Sequence, residues 1–188
     1  MPRRARVIRQ RPQPRPTGRL IRVDGGSAAF GSGPTRRFDV RVEGGLGPGA
    51  TGFAGAVETV LFDPRGWIRS GISLQRVGGG PVDFHVILAS PALTDRLCAP
   101  ALTRGRFSCH KDGNVVLNFW RWTRGADSYR GDLERYRTYV VNHEVGHALG
   151  RGHLGCPGSG LRAPVMMQQT LGVAACKPNP WPLPYEVG

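Results

Sequence analysis

The sequence predicts an α+β domain in which one twisted sheet is backed by two helices and followed by an irregular C-terminal region. Three observations lead there. Segments patterned as strand, helix, two strands, hairpin and helix succeed one another between Phe38 and Gly150. The last helical segment carries a stripe of apolar and histidine residues at steps of three and four. Beyond Gly150 the chain is rich in Gly and Pro and shows no further periodic element.

Each element has its own signal. Phe38, Val40 and Val42 alternate with Asp39, Arg41 and Glu43, the pattern of a half-buried strand. Phe53, Val57, Val60 and Leu61 recur at helical spacing, with Thr51 as the expected N-cap and Pro64 as the stop. Strands are expected over Ile72–Val77 and Val82–Ala89, the second placing Phe84, Val86 and Leu88 on one face. A loop carrying Pro91, Cys98 and Pro100 follows. Arg106–His110 and Asn114–Phe119 flank a Lys111-Asp112-Gly113 turn and read as a hairpin. Asp132 caps the last helix, Glu134 sits in its first turn, and Leu133, Tyr136, Val140, His143 and His147 form the stripe that Gly150 terminates.

Composition limits the function classes. A chain of 188 residues with 39% hydrophobic and 21% charged residues can bury a core without metal or disulfides, so a metal in it is expected to do chemistry. No run of about 18 apolar residues is present, and neither a transmembrane helix nor a complete signal peptide is expected in this sequence. The net charge is +13, yet residues 1–23 hold eight arginines and no acid, leaving a mildly basic +5 for the rest. Residues 1–36, Pro/Gly-rich and basic, are expected to be a disordered tail and linker, with the folded domain over 37–188. The tail suits contact with an anionic surface. No aromatics interleave its arginines, so a nucleic-acid partner is not expected.

The chemistry concentrates in His143-Glu144-Val145-Gly146-His147, with Gly150 and His153 following. On a helix, His143 and His147 face one way and can meet one metal ion. Glu144 lies about a hundred degrees round the helix from His143, close to the metal without being a ligand, where a general base belongs. A positive φ at Gly150 lets the chain turn back so that His153 adds a third nitrogen. Three histidines and a water make an open, catalytic type of zinc site, with one Zn2+ per chain.

This spacing, HExxHxxGxxH, resembles the metzincin zinc-peptidase signature. Metzincins carry a methionine turn beneath the metal. Here Ala163-Pro164-Val165-Met166-Met167-Gln168 lies at a suitable distance, and Met166 is assigned to the turn, with Met167 as the alternative. The region from Phe38 to Pro184 is also similar to an uncharacterised family of bacterial secreted or membrane-anchored proteins, through Phe53–Trp67 and Tyr139–Thr170. The resemblance implies a zincin-like mixed five-stranded sheet with a backing helix and an active-site helix. It also implies a short edge strand, here Arg106–His110, that aligns a peptide by strand addition. Two departures remove any inherited specificity. Leu154 follows the third histidine, and Gln168 or Gln169 stands where some metzincins have a tyrosine.

Four cysteines without a CxxC form two local pairs, so of the three connectivities Cys98–Cys109 with Cys156–Cys176 is expected, in an oxidising compartment. His85 and His110 are expected to be ordinary strand residues, Trp120-Arg121-Trp122 packing residues, and Trp181 an aromatic docked by an extended segment. The function expected is a monomeric zinc-dependent endopeptidase acting on peptides or proteins through a zinc-bound water, with three histidine ligands and Glu144 as general base. It would be secreted or held at the cell envelope, with any anchor outside this sequence. The alternative is a catalytically silent zinc-binding interaction domain of the envelope.

Overall fold

The computed structural model describes residues 14–188. One mixed sheet of seven strands forms its centre, in the order β2-β4-β3-β5-β7-β6, with β1 also paired to β3. The strands are β1 Leu20–Arg22, β2 Phe30–Gly31, β3 Thr35–Glu43, β4 Ser73–Arg76, β5 Phe84–Ala89, β6 Cys109–Lys111 and β7 Asn114–Asn118. The four strands β4, β3, β5 and β7 run parallel, while β1, β2 and β6 pair antiparallel with their neighbours.

The sheet is larger than the five strands expected, because β1 and β2 come from the segment expected to be tail. β1 pairs with Arg41–Glu43 at one end of β3, and β4 pairs with Thr35–Phe38 at the other, so both share one edge of the same strand. The physical reason is backbone pairing. β1, Leu-Ile-Arg, satisfies its N–H and C=O groups along β3 while Leu20 packs against the core, and Phe30 of β2 stacks on Phe62 with ring centroids 4.4 Å apart. The ordered domain therefore begins before residue 37. The rest of the expected tail, residues 1–13, lies outside the described residues.

Helix α1 (Phe53–Leu61) and helix α4 (Leu133–Ala148) pack on one face, where Phe38, Val40, Val86, Leu88, Val115 and Leu117 meet Phe53, Val57, Val140 and Val145 in one core. The N-cap of α1 is Gly52, in the left-handed region, and Thr51 does not cap it. The opposite face is also covered. Ile87, Ala89 and Val116 pack beneath α2 (Pro91–Cys98), which the sequence reading leaves as a loop. Its signal was present: Ser90 accepts a hydrogen bond from the Leu93 N–H at 3.3 Å, and Pro91 occupies the first turn. Coverage on both faces also explains why β5 reads Phe-His-Val-Ile-Leu-Ala, a nearly continuous apolar run.

A second short helix, α3 (Phe119–Arg124), is capped by Asn118, which accepts from the Trp120 N–H at 2.9 Å. A one-turn helix, α5 (Pro184–Val187), ends the chain. The edge strand β6 is shorter than Arg106–His110, since Arg104–Arg106 form a turn and pairing with β7 begins at Cys109. Asp112 and Gly113, both at positive φ, make its hairpin turn. Between Gly150 and α5 the path is irregular, with one isolated bridge, Arg162 to Lys177.

Disulfides join Cys98 to Cys109 and Cys156 to Cys176. They point to an extracellular or envelope location. No helix among the described residues is long and apolar enough to cross a membrane.

Candidate metal centre

The site is built on α4. Asp132 caps it, accepting from the Arg135 N–H at 3.0 Å. The stripe at its start gives way to burial on every side from Tyr139 to Gly146, because this half runs between the sheet and the C-terminal segment. The helix then ends in a Schellman turn. The Arg151 N–H reaches back to the Gly146 carbonyl at 2.9 Å and the Gly150 N–H to that of His147 at 3.0 Å, with Gly150 at φ 84°. That reversal returns His153 to the helix it has just left.

His143, His147 and His153 can each offer one nitrogen to a common centre, and these atoms lie within 4.8 Å of one another. Two of the rings are held from behind. His143 Nδ1 donates to the Val165 carbonyl at 2.8 Å, and His147 Nδ1 donates to the Arg151 carbonyl at 2.8 Å. A proton on Nδ1 leaves the Nε2 lone pair free, the tautomer a metal ligand requires. His147 Nε2 and His153 Nε2 stand 3.0 Å apart. Two lone pairs at that distance are favourable only with a cation or a shared proton between them. The donor set and its orientation therefore fit a divalent metal ion bound by three imidazoles.

Burial pushes the His143 imidazole down to about 3, and the His147 and His153 rings are lowered by burial too. All three favour the neutral form. Burial pushes the Glu144 carboxyl up to about 8. Glu144 lines the same cleft, and its carboxylate makes no hydrogen bond to another described residue.

Behind the histidines, Met166 is buried while Met167 is half-exposed. Met166 and Trp67 press against Gly146, and the Trp67 indole donates to the Asn142 carbonyl at 2.8 Å, one residue before His143. The methionine turn is held by Glu186. Its carboxylate accepts the Val165 and Met166 N–H groups, each at 2.9 Å, and that of Leu183 at 2.8 Å. Because the Val165 carbonyl in turn holds His143, Glu186 on α5 supports a candidate ligand at one remove. Gln169, fully buried, ties the same segment down through the Pro164 and Asn179 carbonyls and the Tyr129 hydroxyl. Tyr139 donates to the Met167 carbonyl at 3.0 Å and accepts from the Gln169 N–H at 2.8 Å.

The histidines open into a cleft of about 660 Å³. It is lined by Phe107, Ser108, Cys109 and His110, running into the edge strand, and also by Gln168 and Thr170. His110, expected to be an ordinary strand residue, lines this cleft. No local signal distinguished it, since only the docking of β6 beside α4 places it there. His85 lies elsewhere, its Nδ1 2.7 Å from an Asp39 carboxylate oxygen. Trp122 is buried edge-on against Phe53, and Trp181 is half-buried against the core under the Arg65 guanidinium. Trp120 stays half-exposed.

Two residues that matter here, Gly146 and Glu186, are absent from the sequence-based assignment. Both had a signal. A glycine inside a helix costs about 1 kcal/mol relative to alanine and so marks a close approach. A glutamate two residues after Pro184 marks a helix start.

No curated protein matches the sequence. A family model described as "Protein of unknown function (DUF3152)" matches residues 15–184, and it takes in the three histidines, Glu144 and the methionine turn. The match also starts near the first described strand rather than at residue 37, and by its extent the chain belongs to that family.

Proposed function

We propose that this chain is a zinc-dependent endopeptidase of metzincin-like fold that works outside the cytoplasm, on the cell envelope or in the medium. The observation that carries the reading is the convergence of His143, His147 and His153 beside the buried Glu144, at the floor of a cleft with a strand along its wall. A structural metal anchor has no use for that carboxylate.

His143, His147 and His153 would hold the zinc ion, which when bound supplies Lewis acidity that polarises a carbonyl and acidifies water. The chain's own residues do the rest. The Nδ1 hydrogen bonds to Val165 and Arg151 keep both helix imidazoles aimed into the cleft. Glu144 takes a proton from the attacking water and returns it to the leaving amine nitrogen. The outer edge of β6, unpaired among the described residues, offers backbone N–H and C=O groups to an extended peptide.

The test is mass-spectrometric cleavage of a diverse peptide library by zinc-loaded protein, with Glu144→Ala and His147→Ala alongside. Cuts are expected from the unaltered chain and are lost on chelation. Glu144→Ala is expected to keep a full equivalent of zinc and lose about 10²–10⁴-fold in rate. His147→Ala is expected to lose the zinc. Metal bound at full stoichiometry with no cut by any of the proteins would overturn the peptidase reading in favour of a silent binding domain.

A further inference from the structure

Three arginines surround Trp120 next to Phe107 of the cleft wall. The guanidinium carbons of Arg121, Arg106 and Arg124 lie 4.7, 5.2 and 5.5 Å from its ring centroid. Arg121 is fixed in place, its Nε donating to the Arg106 carbonyl at 2.8 Å and its Nη1 to the Gly125 carbonyl at 3.1 Å. It also lies 5.7 Å from the Phe107 ring, which lines the cleft.

None of these three arginines pairs with a carboxylate among the described residues, and residues 1–13 contain no Asp or Glu. Most other described arginines also lack an acid partner, Arg36, Arg41, Arg65 and Arg76 excepted, and what sets these three apart is that they share one ring. Three guanidinium groups around one indole repel one another, and the arrangement becomes favourable when an anion shares them. A planar, stacked guanidinium already held by two carbonyls loses little freedom on taking a carboxylate.

The cleft has the matching polarity. Glu144 is the one carboxylate among its described lining residues, which also include Arg151. From Arg106, the last residue of the turn, the wall runs through Phe107 and Ser108 to His110, a span of at most about 13 Å at about 3.3 Å per residue. An extended ligand lying along that wall therefore reaches the arginines and the histidines together.

We propose that Arg106, Arg121 and Arg124, gathered on Trp120, form a subsite for an acidic side chain of a bound peptide, so that the substrates are acidic protein segments. The acidic residue falls within about four positions of the bond at the histidines, at about 3.3 Å per residue. The inference rests on the peptidase reading for the kind of chain bound, and its test separates binding from cleavage.

The probe is a fluorescent, C-terminally amidated peptide carrying glutamates, paired with its glutamine counterpart. Both are titrated by anisotropy into the full-length, zinc-loaded Glu144→Ala protein. The acidic peptide is expected to bind at least about 10-fold tighter, as for charge-assisted hydrogen bonds, with the gap shrinking as salt is raised. Arg106→Glu/Arg124→Glu removes two side chains that make no hydrogen bond among the described residues, and it is expected to abolish the gap while leaving the melting temperature unchanged. Equal affinity for the two peptides overturns the proposal, as does a gap that survives in the double variant. An oligonucleotide of equal charge that displaces the peptide at lower concentration overturns it as well. Acidic peptides that bind through the arginines but are never cut by the unaltered chain sustain the subsite and overturn the peptidase reading. Neutral peptides cut with the same kcat/KM as acidic ones do the reverse.

Discussion

Met166 packs its sulphur into the space left by the missing side chain of Gly146. A Cβ at position 146 would lie 2.3 Å from Met166 Sδ and 2.7 Å from Trp67 Cζ2. The two contacts are not equivalent. The thioether ends a flexible side chain and can swing aside, whereas the indole is pinned by its hydrogen bond to the Asn142 carbonyl.

Gly146→Ala is therefore expected to destabilise the protein by about 1–3 kcal/mol through overpacking, despite the gain in helix propensity. Because the residue sits one position before His147, the same change is expected to weaken zinc binding. Urea unfolding and a competitive zinc titration check both. A variant more stable than the parent, as helix propensity alone demands, would sink the packing argument.

Glu186 accepts three backbone N–H groups, two of them in the methionine turn, and is buried with no cation beside it among the described residues. Glu186→Ala leaves those donors unsatisfied, at about 1–3 kcal/mol for each that water cannot reach. The expected result is a loss of several kcal/mol together with weaker zinc affinity, since the Val165 carbonyl that orients His143 belongs to the same turn. Glu186→Gln keeps one acceptor and should fall between. A Glu186→Ala protein with unchanged zinc affinity and lowered stability would limit Glu186 to holding the fold.

The Cys156–Cys176 disulfide closes the segment that carries Met166, with the partners 20 residues apart in sequence. Loop entropy gives it about 3 kcal/mol. The Cys156→Ser/Cys176→Ser protein is expected to unfold at lower denaturant and to bind zinc less tightly. Cys98→Ser/Cys109→Ser, which frees α2 from β6, is expected to lower stability by a similar amount while leaving zinc affinity intact. Equal loss of zinc affinity from both pairs would show that the bracing is not local.

The parts of this molecule that were readable in the chain are those with local causes. The spacing of His143, His147 and His153, the glycine that reverses the chain and the cap at Asp132 all act within a few residues of one another. Helical periodicity likewise marks which side of α1 turns inward. Where the reading failed, the causes differ. β1 is a strand because β3, distant in sequence, offers it an edge, whereas α2 carries a local start signal, Ser90-Pro91, in a segment expected to be loop.

Sequence alone thus establishes a mixed α/β chain with a three-histidine cluster, one carboxylate beside it and two local cysteine pairs. Backbone geometry over one or two helical turns suffices for that. Tertiary packing decided the rest. It set seven strands instead of five, brought Met166 and Trp67 against Gly146, and carried Glu186 under the turn that holds His143. It also gathered three arginines on Trp120, one of them 5.7 Å from the Phe107 ring that lines the cleft. Such contacts join residues tens of positions apart, and burial and hydrogen-bond satisfaction select them only once the whole chain has closed.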